Sequence, residues 1–115
     1  MKFTYDFLKI DDKTPMIEFL DRLSVRDRAK IFASIDKLVE LKDSNIQPKE
    51  NLSKHVEDSI FELRVRLSDN IARCLYFYEI NQKIIFTHGF IKKTQKLPRK
   101  EIEIAKELGR KYGGL

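Results

Sequence analysis

One cysteine and two histidines are all that this 115-residue chain carries of thiols and imidazoles, the groups that staple small folds and build most structural zinc sites. Cys74 has no partner for an intrachain disulfide, so it reads as a small buried side chain within an apolar run. His55 and His88 have no neighbours at metal-ligand spacing, and neither a metal site nor a cofactor is expected. Long apolar runs are missing too. Nothing approaches the roughly 20 residues needed to span a bilayer, and Met1–Asp6 lacks the apolar core of a secretory signal. The expectation is a cytoplasmic protein without a membrane partner. A phosphate-binding glycine loop, a serine or cysteine nucleophile motif and a paired-carboxylate motif are likewise absent. So are repeats, low-complexity tracts and linkers.

What the chain has is positive charge. Lysine and arginine number 23 against 18 acidic residues, a net charge of +5, with a pI near 9.3, which favours polyanionic partners such as nucleic acid. With 42% hydrophobic and 36% charged residues the composition is that of a folded globular protein. The length suits one domain over residues 1–115, burying roughly two-thirds of the surface the unfolded chain exposes.

Residues 2–9 alternate loosely, with Phe3, Tyr5 and Phe7 on one side, and predict a first strand. Thr14 and Pro15 form a helix start, and Ile17, Leu20 and Leu23 give that helix a buried stripe. Ser24 caps a second helix in which Phe32, Ile35 and Val39 recur at helical spacing beside Ile31 and Leu38, while Asp27, Lys30, Ser34 and Lys37 face water. Residues 43–58, with Pro48 and many charges, read as a connecting loop. Three strands follow, beginning at Ile60, Arg73 and Ile84. They are joined by the short polar turns Ser68-Asp69-Asn70 and Asn81-Gln82 and are therefore antiparallel neighbours. Pro98 opens a last helix with the stripe Ile102, Ala105, Leu108 and Tyr112, ended by Gly113 and Gly114. The order βααβββα is an α+β domain: a four-stranded, antiparallel-rich sheet packed by an N-terminal helical hairpin, with a C-terminal helix.

The charge gathers on these strands. In the first of the three, Phe61, Leu63, Val65 and Leu67 share one face, and Glu62, Arg64 and Arg66 share the other. Folding gains nothing from adjacent guanidinium groups, which an anion would relieve; the plainer reading is the solvated side of an amphipathic strand. Arg73 brings a third guanidinium across the hairpin. Its parity with the apolar Leu75 and Phe77 calls for a bulge or for a strand covered on both faces along only part of its length. The last strand runs out into Lys92, Lys93 and Lys96, a basic end able to supply phosphate contacts and a base. Lys49, Lys54 and His55 border the site or belong to a solvated loop. His88 has the parity of Ile84, Phe86 and Phe90 and reads first as a packed histidine, with proton transfer or an RNA contact as the alternative. Tyr76 and Tyr78 read as core aromatics, with stacking on bases as the alternative. RNA carries its own nucleophile, the 2′-hydroxyl, so cleavage needs alignment, charge stabilisation and a proton acceptor. A lysine crowded by cations suits the last task better than an arginine, which points to Lys92 or Lys93.

Phe61-Glu62-Leu63-Arg64-Val65-Arg66, then Arg73-Cys74-Leu75-Tyr76-Phe77-Tyr78, then His88-Gly89-Phe90-Ile91-Lys92-Lys93-Thr94-Gln95-Lys96-Leu97-Pro98 closely resemble the RelE/HigB family of bacterial toxin–antitoxin toxins, best its phage-related HigB-like branch. In element order the resemblance covers nearly the whole chain. It implies a RelE-like fold and a ribosome-dependent endoribonuclease that cuts mRNA in the ribosomal A site through 2′-hydroxyl attack. By position it implies catalytic roles for Arg64, Arg66, Arg73, Lys92 and Lys93; the residue reading adds Lys96, Lys54, His88 and Tyr76 as candidate RNA contacts. The implied partners are the ribosome, mRNA and a HigA-like helix-turn-helix antitoxin, through which alone DNA is met. Ala72, where relatives often carry tyrosine or another large residue, and Leu97, where they usually carry threonine, depart from the pattern. The alternatives are a non-cleaving RNA- or antitoxin-binding module and a basic α+β interaction protein.

Overall fold

The computed structural model describes residues 2–92 and 96–115. Its elements are β1 (Thr4–Phe7), α1 (Pro15–Asp21), α2 (Val25–Asp43), β2 (Ser53–Glu57), β3 (Ile60–Arg66), β4 (Ile71–Glu79), β5 (Lys83–Lys92) and α3 (Arg99–Tyr112). The fold is α+β, with a five-stranded sheet ordered β1-β5-β4-β3-β2. The β2–β3, β3–β4 and β4–β5 pairs are antiparallel, and β1 joins β5 in parallel.

The sheet has one strand more than the sequence predicts. β2 lies within the stretch read as a loop, where it is an edge strand with Ser53 buried, Lys54 and His55 exposed, and a single apolar residue, Val56. Its hydrogen bonds come from pairing with β3, so it carries almost no pattern of its own.

The hairpin α1–α2 covers one face. Ser24 accepts a hydrogen bond from the Asp27 N–H at 3.1 Å and starts α2. Thr14 stands at the N-cap of α1 with Pro15 following, without a side-chain cap bond. The stripe of α1 is Met16, Phe19 and Leu20, whereas Ile17 is 45% exposed, contrary to the predicted stripe. Seven residues allow only one buried i, i+3, i+4 set. Asp27 also departs from expectation: its carboxylate accepts bonds from the Ser68 N–H and hydroxyl, tying α2 to the β3–β4 turn. Against the hairpin lie Leu63, Val65, Ala72, Cys74, Tyr76, Ile84 and Phe86, all buried. Burial pushes the Cys74 thiol up to about 12. Gly89 is required here, because a Cβ on it would stand 2.4 Å from Cδ2 of Phe19.

Helix α3 covers part of the opposite face. Ala105 packs with Ile60 and Leu75, and Leu108 and Tyr112 pack against Phe77 and Ile85. Gly113, with φ of 91°, closes the helix in a left-handed cap. Glu57 and Asp58, at the β2–β3 turn, receive Arg99 and Lys106 of α3 in ion pairs. Those pairs lower the Glu57 carboxyl to about 2. Among the described residues, no helix is long and apolar enough to cross a membrane.

A bulge in β5 decides which face its second half presents. Leu75 pairs with His88 but Tyr76 pairs with Phe86, leaving Thr87 as the extra residue. The Thr87 hydroxyl donates to the Leu75 carbonyl at 3.1 Å. Ile84 and Phe86 therefore face the helical hairpin, whereas His88, Phe90 and Lys92, of the same sequence parity, face the other way.

Candidate functional site: a basic cleft

On the α3 side of the sheet, beyond the part that α3 covers, successive cross-strand rows bring charge together. Lys54 pairs with Glu62, Arg64 pairs with Arg73, and Ile71 stands between Arg66 and Lys92. Lys54, Glu62, Arg64, Arg73, Lys92 and Leu97 line a cleft of about 220 Å³ together with His55 and Val56. Lys92 also lines a neighbouring depression of about 570 Å³ that holds Arg66 and the β3–β4 turn from Leu67 to Ile71. The two hollows thus share a wall, and the row of cations runs through both.

Arg73 and Glu62 form the floor. Nη1 of Arg73 is 3.3 Å from Oε1 of Glu62, with side chains 4% and 3% exposed. Nε of Arg73 is buried and has no hydrogen-bond partner among the described residues. The parity conflict of Arg73 with Leu75 and Phe77 resolves through partial coverage: β3 and β4 pair without interruption from Phe61 to Arg66, and Leu75 and Phe77 lie under α3 while Arg73 lies in the cleft. The Arg73 guanidinium is held below its ordinary range chiefly by burial, with Arg64 adding and Glu62 opposing; an arginine so placed still keeps its charge.

Lys92 is 8% exposed. Its ammonium is lowered first by burial and then by Arg73, with Arg64 and Lys54 adding to the effect and Glu62 opposing it. Burial and neighbouring cations both disfavour the charged form of a lysine. Lys93 lies outside the described residues; Lys96, which is described, is exposed.

Two sequence-predicted contacts stand elsewhere. Tyr76 is 1% exposed on the hairpin face, where its hydroxyl donates at 2.7 Å to Ser53 Oγ, which in turn donates to the Glu62 carbonyl. It is a core aromatic on the wrong side of the sheet to stack on a base in the cleft. His88 does not line the cleft: it sits buried between Thr87 Oγ1 and Glu101 Oε1, each at 3.1 Å, with its ring stacked on Phe90. Burial lowers its imidazole, against the pull of Glu101. Its evident work is to join β5 to the first turn of α3. Ala72, the departure in the motif, is fully buried in the hairpin core, so a larger side chain there would pack inward rather than meet a ligand.

Glu62 is the residue that sequence reasoning passed over. The signal was present, an acid alternating with two arginines on one strand face, but its meaning depended on Arg73 arriving from the next strand. Among the described residues no group of acidic, histidine or cysteine side chains is placed to hold a metal.

The open end of the half-covered α+β sheet thus gathers Lys54, Arg64, Arg73 and Lys92 around one carboxylate in a single basic cleft. Residues 18–110 match the family model of the phage derived protein Gp49-like (DUF891). The chain belongs to that family, one of the toxin-like families of toxin–antitoxin systems. No curated protein matches it.

Proposed function

We propose that this protein is the toxin of a type II toxin–antitoxin system, a RelE/HigB-like, ribosome-dependent endoribonuclease that stops translation by cutting mRNA. The observation that carries the proposal is the convergence of Arg64, Arg73 and Lys92 on one cleft, in a chain of the Gp49-like family. In the reaction the RNA 2′-oxygen attacks the adjacent phosphorus and passes its proton to Lys92 or to Lys93 beside it. Arg64 and Arg73 take up the charge that develops on the phosphate. The bond from phosphorus to the 5′-oxygen breaks, and the lysine returns a proton to that oxygen. The products are a 2′,3′-cyclic phosphate and a 5′-hydroxyl. Arg66, Lys54 and Lys96 guide the flanking phosphates. No cofactor enters this scheme. The protein works in the cytoplasm, and a HigA-like helix-turn-helix antitoxin neutralises it and supplies the only link to DNA.

The test is expression without an antitoxin, with the 5′ ends of cellular mRNA mapped after induction. The expected result is growth arrest with new 5′-hydroxyl ends inside reading frames, both lost in a variant carrying Arg64→Ala and Lys92→Ala. Arrest without new ends would overturn cleavage and leave a non-cleaving RNA binder.

A further inference from the structure

We infer that Glu62 is the resident counter-anion of the cleft: it holds Arg73 while the cleft is empty, and an incoming phosphate competes with it for that guanidinium. This makes Glu62 a positioning residue. The inference rests on the anion-binding part of the proposed function, and it stands whether or not the bound polymer is cut.

Three observations support it. First, Glu62 is the one carboxylate among the described residues lining a cleft that also holds Lys54, Arg64, Arg73 and Lys92. Four cations meet one anion, and the imbalance attracts a further negative group. Second, the pair is buried but incomplete. Arg73 meets Glu62 through Nη1 alone at 3.3 Å, instead of through the two parallel bonds that arginine and carboxylate form when they are built for each other. Third, Nε of Arg73 is buried without a partner among the described residues, although buried donors are nearly always satisfied. The guanidinium therefore has unused donor capacity in the free protein. A second acceptor, such as a phosphate oxygen, would use it once Arg73 shifts toward the cleft.

The consequence is a split between affinity and turnover. A neutral side chain at position 62 removes the competitor, so a polyanion binds more tightly; the same change releases the guanidinium from its fixed place, so the bound phosphate is aligned less well. A merely structural acid would on removal weaken both or alter neither.

The experiment uses the full chain and a short labelled oligonucleotide of 2′-deoxy nucleotides, which keeps the phosphates and lacks the attacking hydroxyl. In fluorescence anisotropy Glu62→Gln is expected to bind on the order of tenfold more tightly than wild type, as removal of one nearby like charge implies. It is expected to cut ribosome-bound mRNA on the order of tenfold more slowly. Equal or weaker binding by a folded Glu62→Gln variant overturns the inference. Arg73→Lys keeps a charge for Glu62 but has no Nε and no planar fork. It is expected to bind the probe on the order of tenfold more weakly, and undiminished binding overturns the inference even if Glu62→Gln does not fold. Tighter binding by Glu62→Gln in a protein whose wild type cuts no mRNA supports the counter-anion and removes the nuclease. Cleavage by wild type with unchanged Glu62→Gln affinity does the reverse.

Discussion

Arg64 and Arg73 are direct cross-strand partners in the antiparallel β3–β4 pair. Like charges placed so destabilise a sheet by roughly 0.2–1 kcal/mol, a cost that folding gives no reason to bear. Arg64→Gln is therefore expected to raise the unfolding free energy by about that amount while abolishing growth arrest. Urea denaturation beside a toxicity assay checks both halves. Loss of stability together with loss of toxicity would mean that Arg64 serves the fold.

The floor of the cleft should respond in the opposite way. Arg73→Met leaves the Glu62 carboxylate buried without its counter-ion, which costs about 3–5 kcal/mol, and the combined Glu62→Leu, Arg73→Met variant should recover most of that loss. Denaturation of the two single and the combined variants closes the cycle. Additive losses would show that the pair at 3.3 Å is not energetically coupled.

Lys92 sets the expected pH dependence. Its ammonium is lowered by burial and by Arg73, Arg64 and Lys54, against Glu62, so the free amine forms at lower pH than for an ordinary lysine. Cleavage should rise with pH and level off below 10.5, the value of an unperturbed lysine. Lys92→Arg, which cannot lose its proton, should remove that limb. Because Glu62 opposes the lowering, Glu62→Gln should move the limb to still lower pH. The same sign appears in stability: a base lowered on folding weakens the fold as pH falls from 10.5 toward its folded value, and Lys92→Met should flatten that slope.

Gly89 tests the packing behind the site. Its missing Cβ would come within 2.4 Å of the Phe19 ring, so Gly89→Ala should cost about 1–3 kcal/mol through overpacking. Phe19→Leu in the same chain should relieve part of it, as thermal unfolding would show.

Much of this architecture was legible in the chain. The helical hairpin, the β3–β4–β5 meander and the C-terminal helix follow from periodicity and polar turns, and the alternation of Glu62, Arg64 and Arg66 follows from the strand period. Edge strand β2 was not legible, because it is held by pairing with β3 rather than by its own residues. The stripe of α1 was misread at Ile17, since so short a helix leaves the choice of face to what it packs on.

Composition and spacing by themselves determined that this is a basic α+β protein bearing arginines on one strand face and lysines at a strand end. Tertiary structure decided which of those charges meet. One extra residue, Thr87, turns the second half of β5 over, sending Lys92 to the Arg73 side and Gly89 to Phe19. Strict alternation would have put Lys92 with Ile84 and Phe86 in the core. A bulge is a choice made between two strands, through one shifted ladder and the Thr87 bond to Leu75, and no single strand's alternation records it.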